Sequence, residues 1–204
     1  MMARIKICGI KSFKEIEYVN ETKPDYIGFV FAKSRRYVDF NMAYLLKAEL
    51  NPYIKAVGVF VNEDIDFIKK LCDLHVIDVV QLHGDENDAY IDALKNVISK
   101  PIIKAIRVKE KIDTIYNKIS YPLFDTYNKE KYGGTGESFD WNMIRIREYK
   151  KPFFLAGGLH IGNIADAINL IHPYCVDVSS GVEINGAKDG QKITDIVNLV
   201  RSIN

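Results

Sequence analysis

Apolar positions along this chain come in short dense runs, separated by longer segments in which they recur every three or four residues. The runs are RIKIC (4–8), YIGFVF (26–31), KAVGVFV (55–61), DVVQLH (78–83), PIIKAIRV (101–108), PLFD (122–125), PFFLA (152–156) and CVDVS (175–179). Most are apolar at odd and even positions alike, the pattern of parallel strands buried on both faces. The segments between them have helical period. Ser12 and Glu15 have the spacing of a capping box, followed by the stripe Phe13, Ile16 and Val19. Ile65, Ile68, Leu71 and Cys72 mark a later helix, and Tyr90, Ile91, Leu94, Val97 and Ile98 the next. Further stripes run through Ile112, Ile115, Tyr116 and Ile119, through Ile161, Ile164, Ala165, Ile168 and Ile171, and through Ile193, Ile196, Val197, Val200 and Ile203. Weaker helical patterns cover about 41–50 and 140–148.

Eight strand-then-helix units without a linker predict an α/β fold, a closed (β/α)8 TIM barrel forming one domain over residues 1–204. An open doubly wound sheet is the alternative. At 204 residues the chain is shorter than the ~250 typical of such barrels, which calls for tight loops.

Charge and composition narrow the function. A formal net charge of +1, with 48% hydrophobic and 27% charged residues, advertises neither nucleic acid nor an anionic membrane as partner. The longest apolar runs are too short to span a bilayer, and the N-terminus has no signal-peptide pattern. Cys8, Cys72 and Cys175 are far apart and lack zinc-ligand spacing, so free thiols in a reducing cytoplasm are expected. Cys72, on a helix stripe, reads as a core thiol.

In a barrel of this kind chemistry belongs at the C-terminal strand ends. Those ends carry Cys8-Gly9, the KSRR cluster (33–36), Asn62, His83-Gly84, Arg107, Asp125-Thr126, Gly157-Gly158 and Ser179-Ser180-Gly181. The opposite ends carry ordinary turn residues such as Pro24, Pro101, Pro122 and Pro152. This asymmetry favours an enzyme. The glycine-rich loops after strands seven and eight suit a phosphate, because small residues let backbone N–H groups approach an anion. Their glycines equally suit plain tight turns. YGGTGES (132–138) lacks the lysine of a P-loop and the third glycine of a dinucleotide motif, and reads instead as a lid. Cys8 on these grounds is either a core thiol or a reactive one, and His83 either structural or a ligand contact.

The ordered blocks KICGI (6–10), GFVF with KSRRY (28–37), VGVFVN (57–62), VQLHG (80–84), DT with YGGTGESFDW (125–141), LAGGL (155–159) and VDVSSGVE (176–183) closely resemble the phosphoribosylanthranilate isomerases, nearly end to end. Lys11 departs from the threonine usual there. The resemblance implies an Amadori rearrangement in tryptophan biosynthesis, by acid–base catalysis with no metal or organic cofactor. It implies Cys8 as general base and Asp125 as general acid. It also implies Arg36 at the anthranilate carboxylate, with Arg35 as a rival, and phosphate held at Gly157, Gly158, Ser180 and Gly181. His83 and Asp177 are expected to contact substrate, Asp177 through sugar hydroxyls. The expected partner is a small phosphosugar–anthranilate, with the chain a monomer or homodimer.

The chemistry needs one acid and one base on opposite sides of the sugar. Ordinary pKa values near 3.9 for Asp and 8.5 for Cys put the proton on the wrong partner, a gap worth roughly 6 kcal/mol. Lys6 shares strand parity with Cys8, ~6.6 Å below it, and is expected to favour the thiolate. Two rival readings are a different phosphate-binding barrel enzyme, such as an indole-glycerol-phosphate synthase or a pentose-phosphate epimerase, and a phosphosugar-binding barrel without catalysis. The first would want a strand-end lysine or paired acids with a metal, and retention of both Cys8 and Asp125 argues against the second.

Overall fold

The computed structural model describes residues 3–108, 118–126, 141 and 151–203. Eight parallel strands close on themselves in sequence order: β1 (Arg4–Cys8), β2 (Tyr26–Val30), β3 (Lys55–Phe60), β4 (Val79–Leu82), β5 (Ile102–Val108), β6 (Tyr121–Thr126), β7 (Phe154–Leu155) and β8 (Cys175–Val178). Closure is made where Ile5 pairs with Val176 and Lys6 with Asp177. The expected barrel is therefore the one formed. β7 is shorter than its apolar run. Pro152 lacks an N–H, and although Ala156 still donates to the Phe124 carbonyl at 2.8 Å, Gly157 at φ 90° turns the chain away.

The outer helices are α1 (Phe13–Thr22), α2 (Phe40–Glu49), α3 (Ile65–Asp73), α4 (Asp88–Val97), α5 (Ile164–Ile171) and α6 (Gly190–Ser202). Their starts are written in short polar side chains. The Ser12–Glu15 capping box forms as its spacing predicts, and Asp39, Asn87 and Asp189 accept the amides of Met42, Tyr90 and Lys192. Each such cap is worth about 1 kcal/mol. The apolar stripes face inward with three departures: Phe13, Val97 and Ile161 lie exposed, Ile161 because it precedes α5. The expected helices near 112–119 and 140–148, and the expected lid at 132–138, fall mainly outside the described residues.

Strand parity divides the interior into two cores. Ile5, Ile7, Ile27, Phe29, Val80 and Leu82 point outward into a layer shared with Ile16, Leu46, Ile68, Leu94 and Val197 of the helices. The other parity fills the barrel with Tyr26, Val57, Val79, Ile103, Leu123, Phe154 and Cys175. Lys6 and Cys8, Gln81 and His83, Asp125, and Asp177 share that inward parity higher up. The strand pattern thus packs the fold and lifts a polar set to one rim.

Candidate active site

At the rim end of β1 the Cys8 thiol is buried, and the chain around it is shaped to admit it. A Cβ on Gly28 would lie 2.7 Å from Cys8 Sγ and 3.3 Å from Lys6 Nζ, so only glycine at that point of β2 leaves room for both. Lys6 is fully enclosed and donates to Asp177 Oδ2 at 2.7 Å. Burial works against the lysine's charge, yet Asp177 and Cys8 together hold its pKa above the ordinary value. Asp177 Oδ1, also buried, has no hydrogen-bond partner among the described residues.

The thiol itself is not freed by this lysine. Burial pushes the Cys8 pKa above its ordinary value; Lys6 and Lys188 draw it down, Asp177 pushes it up, and the balance leaves it raised. Lys6 pulls toward the thiolate, as its strand parity predicts, but burial outweighs it, and its charge is divided between Cys8 and the Asp177 carboxylate.

Asp125 is the penultimate residue of β6, three strands from β1 around the closed barrel. It is buried, and its Oδ2 lies 3.1 Å from His83 Nε2. Gln81, two residues down the same strand, places its amide nitrogen 3.0 Å from His83 Nδ1. With the Gln81 amide nitrogen as donor, Nδ1 accepts and Nε2 carries the ring proton toward Asp125. His83 is thereby brought to the carboxylate. Behind it, on the outward parity, Lys104 donates to Glu86 at 2.6 Å and to the Gly84 carbonyl at 2.8 Å. Glu86 in turn accepts the amides of Asn62 and Gly84, which ties the turns after β3 and β4 together.

The loops after β7 and β8 interlock. Gly157 and Gly158 take φ values of 90° and 64°, and a Cβ on Gly181 would sit 2.1 Å from the Leu159 carbonyl oxygen. Asn163 forgoes its own capping bond at α5 and braces this loop instead, accepting from His160 N and donating to Gly158 O. The amides of Gly157 and Gly158 have no acceptor among the described residues. Ser180 and Gly181 form the turn Ser180–Val182 directly opposite.

Arg36 reaches the same rim from the loop after β2. Its side chain crosses Gly9, where a Cβ would come within 2.4 Å of Arg36 Cδ. Its Nε and Nη2 donate to Glu183 at 2.7 and 3.1 Å. Glu183 belongs to a two-stranded hairpin, β9 (Glu183–Ile184) and β10 (Ala187–Lys188), and also takes bonds from Arg35 and Lys188. The sequence reading assigns Glu183, Lys188, Gln81 and Gly28 no role. Glu183 stands inside the quoted VDVSSGVE block, the one signal that could have flagged it, while Lys188 looks like an ordinary loop lysine.

Sequence and structure comparisons cover nearly the whole chain. Residues 5–199 match the family model described as N-(5'phosphoribosyl)anthranilate (PRA) isomerase. An N-(5'-phosphoribosyl)anthranilate isomerase from Endomicrobium trichonymphae is 51% identical over 202 residues, covering 99% of this chain and 100% of its own. A solved structure of monomers generated from the dimeric phosphoribosylanthranilate isomerase of Thermotoga maritima superposes with TM-score 0.83 at 31% identity, over 98% of this chain and 100% of that one. A phosphoribosylanthranilate isomerase in complex with reduced 1-(o-carboxyphenylamino)-1-deoxyribulose 5-phosphate gives TM-score 0.82 at 31% identity, with the same coverage.

Proposed function

The chain belongs to the N-(5'-phosphoribosyl)anthranilate isomerase family, and from that premise we propose that its rim runs the reaction with Cys8 as base and Asp125 as acid. The protein is an aldose–ketose isomerase of tryptophan biosynthesis, converting N-(5'-phosphoribosyl)anthranilate to 1-(2-carboxyphenylamino)-1-deoxyribulose 5-phosphate. Asp125 gives its proton to the furanose oxygen as the ring C–O bond breaks and the nitrogen lone pair forms the C1′ iminium. Cys8 thiolate then removes the C2′ proton, the C–H pair becoming the enamine double bond, and the enol tautomerises to the ketone. No atom is gained or lost. Burial holds the Cys8 pKa above its ordinary value, so the thiol must give up its proton before it acts as the base. Lys6 and Lys188 stabilise the thiolate once it forms.

The supporting observation is the pairing of these two groups across one rim, each with its own tuning partner: Lys6 with Asp177 for the thiol, His83 with Gln81 for the carboxyl. Asp177 Oδ1, buried and unpartnered, suits a sugar hydroxyl. The glycine amides at 157–158 and the turn at Ser180-Gly181 suit the phosphate, and Arg36 suits the anthranilate carboxylate. His83 acts on this reading by holding Asp125 as well as by facing substrate.

We take the chain to act as a monomer or homodimer, in one domain over 1–204. No helix among the described residues is long and apolar enough to cross a membrane. The three cysteines are free, which fits work in the reducing cytoplasm. Purified protein is expected to quench the fluorescence of phosphoribosylanthranilate. Cys8→Ser and Asp125→Asn are each expected to lower kcat by roughly 10²–10⁴-fold with little change in melting temperature. Near-native turnover in both variants would refute the assignment.

A further inference from the structure

One carboxylate near the rim gathers three cations. Glu183 Oε1 accepts from Arg36 Nε at 2.7 Å and from Lys188 Nζ at 2.8 Å. Its Oε2 accepts from Arg36 Nη2 at 3.1 Å and from Arg35 Nη2 at 2.6 Å. Three positive charges against one negative leave the cluster with an excess of two. Such an excess can take a further anion.

The two arginines are not equivalent. Side-chain exposure is 55% for Arg35 but 12% for Arg36 and 5% for Glu183. Arg35 therefore makes a solvent-screened contact worth little, whereas the Arg36 pair is held in place. A guanidinium has two forked edges. Glu183 occupies the side edge, Nε with one Nη2 hydrogen. The end edge, Nη1 with the other Nη2 hydrogen, has no partner among the described residues. Because the Arg36 side chain lies across Gly9, this open edge is anchored one residue from Cys8.

We propose that Glu183 is the positioning residue for carboxylate recognition: it fixes Arg36 by one edge and so presents the other as a preformed fork for the substrate's carboxylate. Lys188 keeps Glu183 from leaving. It is itself buried, bonds the Ser179 carbonyl at 2.9 Å, and is linked through its backbone amide to Glu15 of α1. Glu183 thus stays beneath the arginine when substrate binds, rather than yielding its place to the incoming carboxylate. This inference rests on the reading of Arg36 given above, and the experiment separates the two.

The probes are reduced 1-(o-carboxyphenylamino)-1-deoxyribulose 5-phosphate and its counterpart made from aniline, which lacks the carboxylate. Both are titrated by calorimetry into wild type, Glu183→Gln, Arg36→Met and the double variant. Glu183→Gln is expected to weaken the carboxylate-bearing probe about tenfold, the cost of one misplaced charge-assisted pair, and the other probe less than twofold. In the Arg36→Met background Glu183→Gln is expected to add nothing. If Glu183→Gln weakens both probes equally, or if the two substitutions add, Glu183 does not act through Arg36 and the proposal falls. If Arg36→Met fails to discriminate between the probes, the reading of Arg36 itself is wrong. Glu183→Asp serves where the glutamine variant folds poorly, since its carboxylate keeps the charge but moves the fork. It too must penalise only the carboxylate-bearing probe.

Discussion

At the N-terminal mouth of the barrel, Tyr26 and Tyr121 stand edge-on to Phe154 at 5.6 and 5.5 Å, and Tyr121 stacks on Tyr174 at 5.0 Å. The Arg4 guanidinium covers Tyr174 and bonds the hydroxyls of Tyr26 and Tyr174. At the opposite rim the same inward parity supplies Lys6, Cys8, Gln81, His83, Asp125 and Asp177. The mouth closes on itself with ring against ring. The rim leaves two buried acceptors, Asp177 Oδ1 and Gln81 Oε1, without partners among the described residues. A folded chain keeps such atoms unsatisfied only rarely, which fits the sugar hydroxyl proposed for Asp177. Stability and chemistry are thereby assigned to opposite ends of one set of strands.

Phe154→Ala is the strongest test of that division. It opens the plug and is expected to lower the unfolding free energy by roughly 3–5 kcal/mol, measured by urea titration. Its kcat, taken well below the new melting point, should stay at the wild-type value. A large loss of kcat in the folded variant would show that the two ends are coupled.

Gly28→Ala probes the boundary between packing and chemistry. Its methyl group would meet Cys8 Sγ at 2.7 Å, so the thiol must shift. Overpacking of this kind is expected to cost about 1–3 kcal/mol in stability. Displacing the base should lower kcat about tenfold or more, since proton abstraction tolerates little misplacement. An unchanged kcat would mean that the position of the thiol does not matter.

The smallest expected effect sharpens the picture of the rim charges. Burial, with Asp177 reinforcing it, holds the thiol's pKa above its ordinary value. Alkylation of Cys8, located by peptide mapping, should therefore be slow at neutral pH and accelerate only under alkaline conditions. Asp177→Asn removes an anion from the thiol's surroundings and should move that acceleration to lower pH. Lys6→Met removes a cation and should move it higher. A shift of either variant against its stated direction would overturn the charge-sharing account of Lys6.

Much of this was legible along the chain because parallel strands buried on both faces must be apolar at both parities, and capped helices must begin with short polar residues. The Ser12–Glu15 box and the run at 55–61 are examples. Cys8 and Asp125 stand out because each interrupts an apolar run at its C-terminal end. What stayed hidden was partnership. Nothing local in KSRRY says that Arg36 turns inward while Arg35 stays exposed, and nothing local in GAKDG marks Lys188 as a buried cation. The aromatic plug was equally invisible, since Tyr26, Tyr121 and Tyr174 lie far apart in sequence and meet only when the barrel closes.

The sequence by itself determined the order of strands and helices, the closed barrel, and which end carries reactive groups. These follow from periodicity and from the side of each strand at which polar residues collect, both local properties. Tertiary structure alone decided where the charges go: Lys6 to Asp177 as much as to Cys8, His83 to Asp125, and Arg36 with Lys188 to Glu183. The reason is physical. A buried charge is tolerable only beside its partner, and in a barrel that partner stands on another strand or loop, up to 171 residues away in the chain.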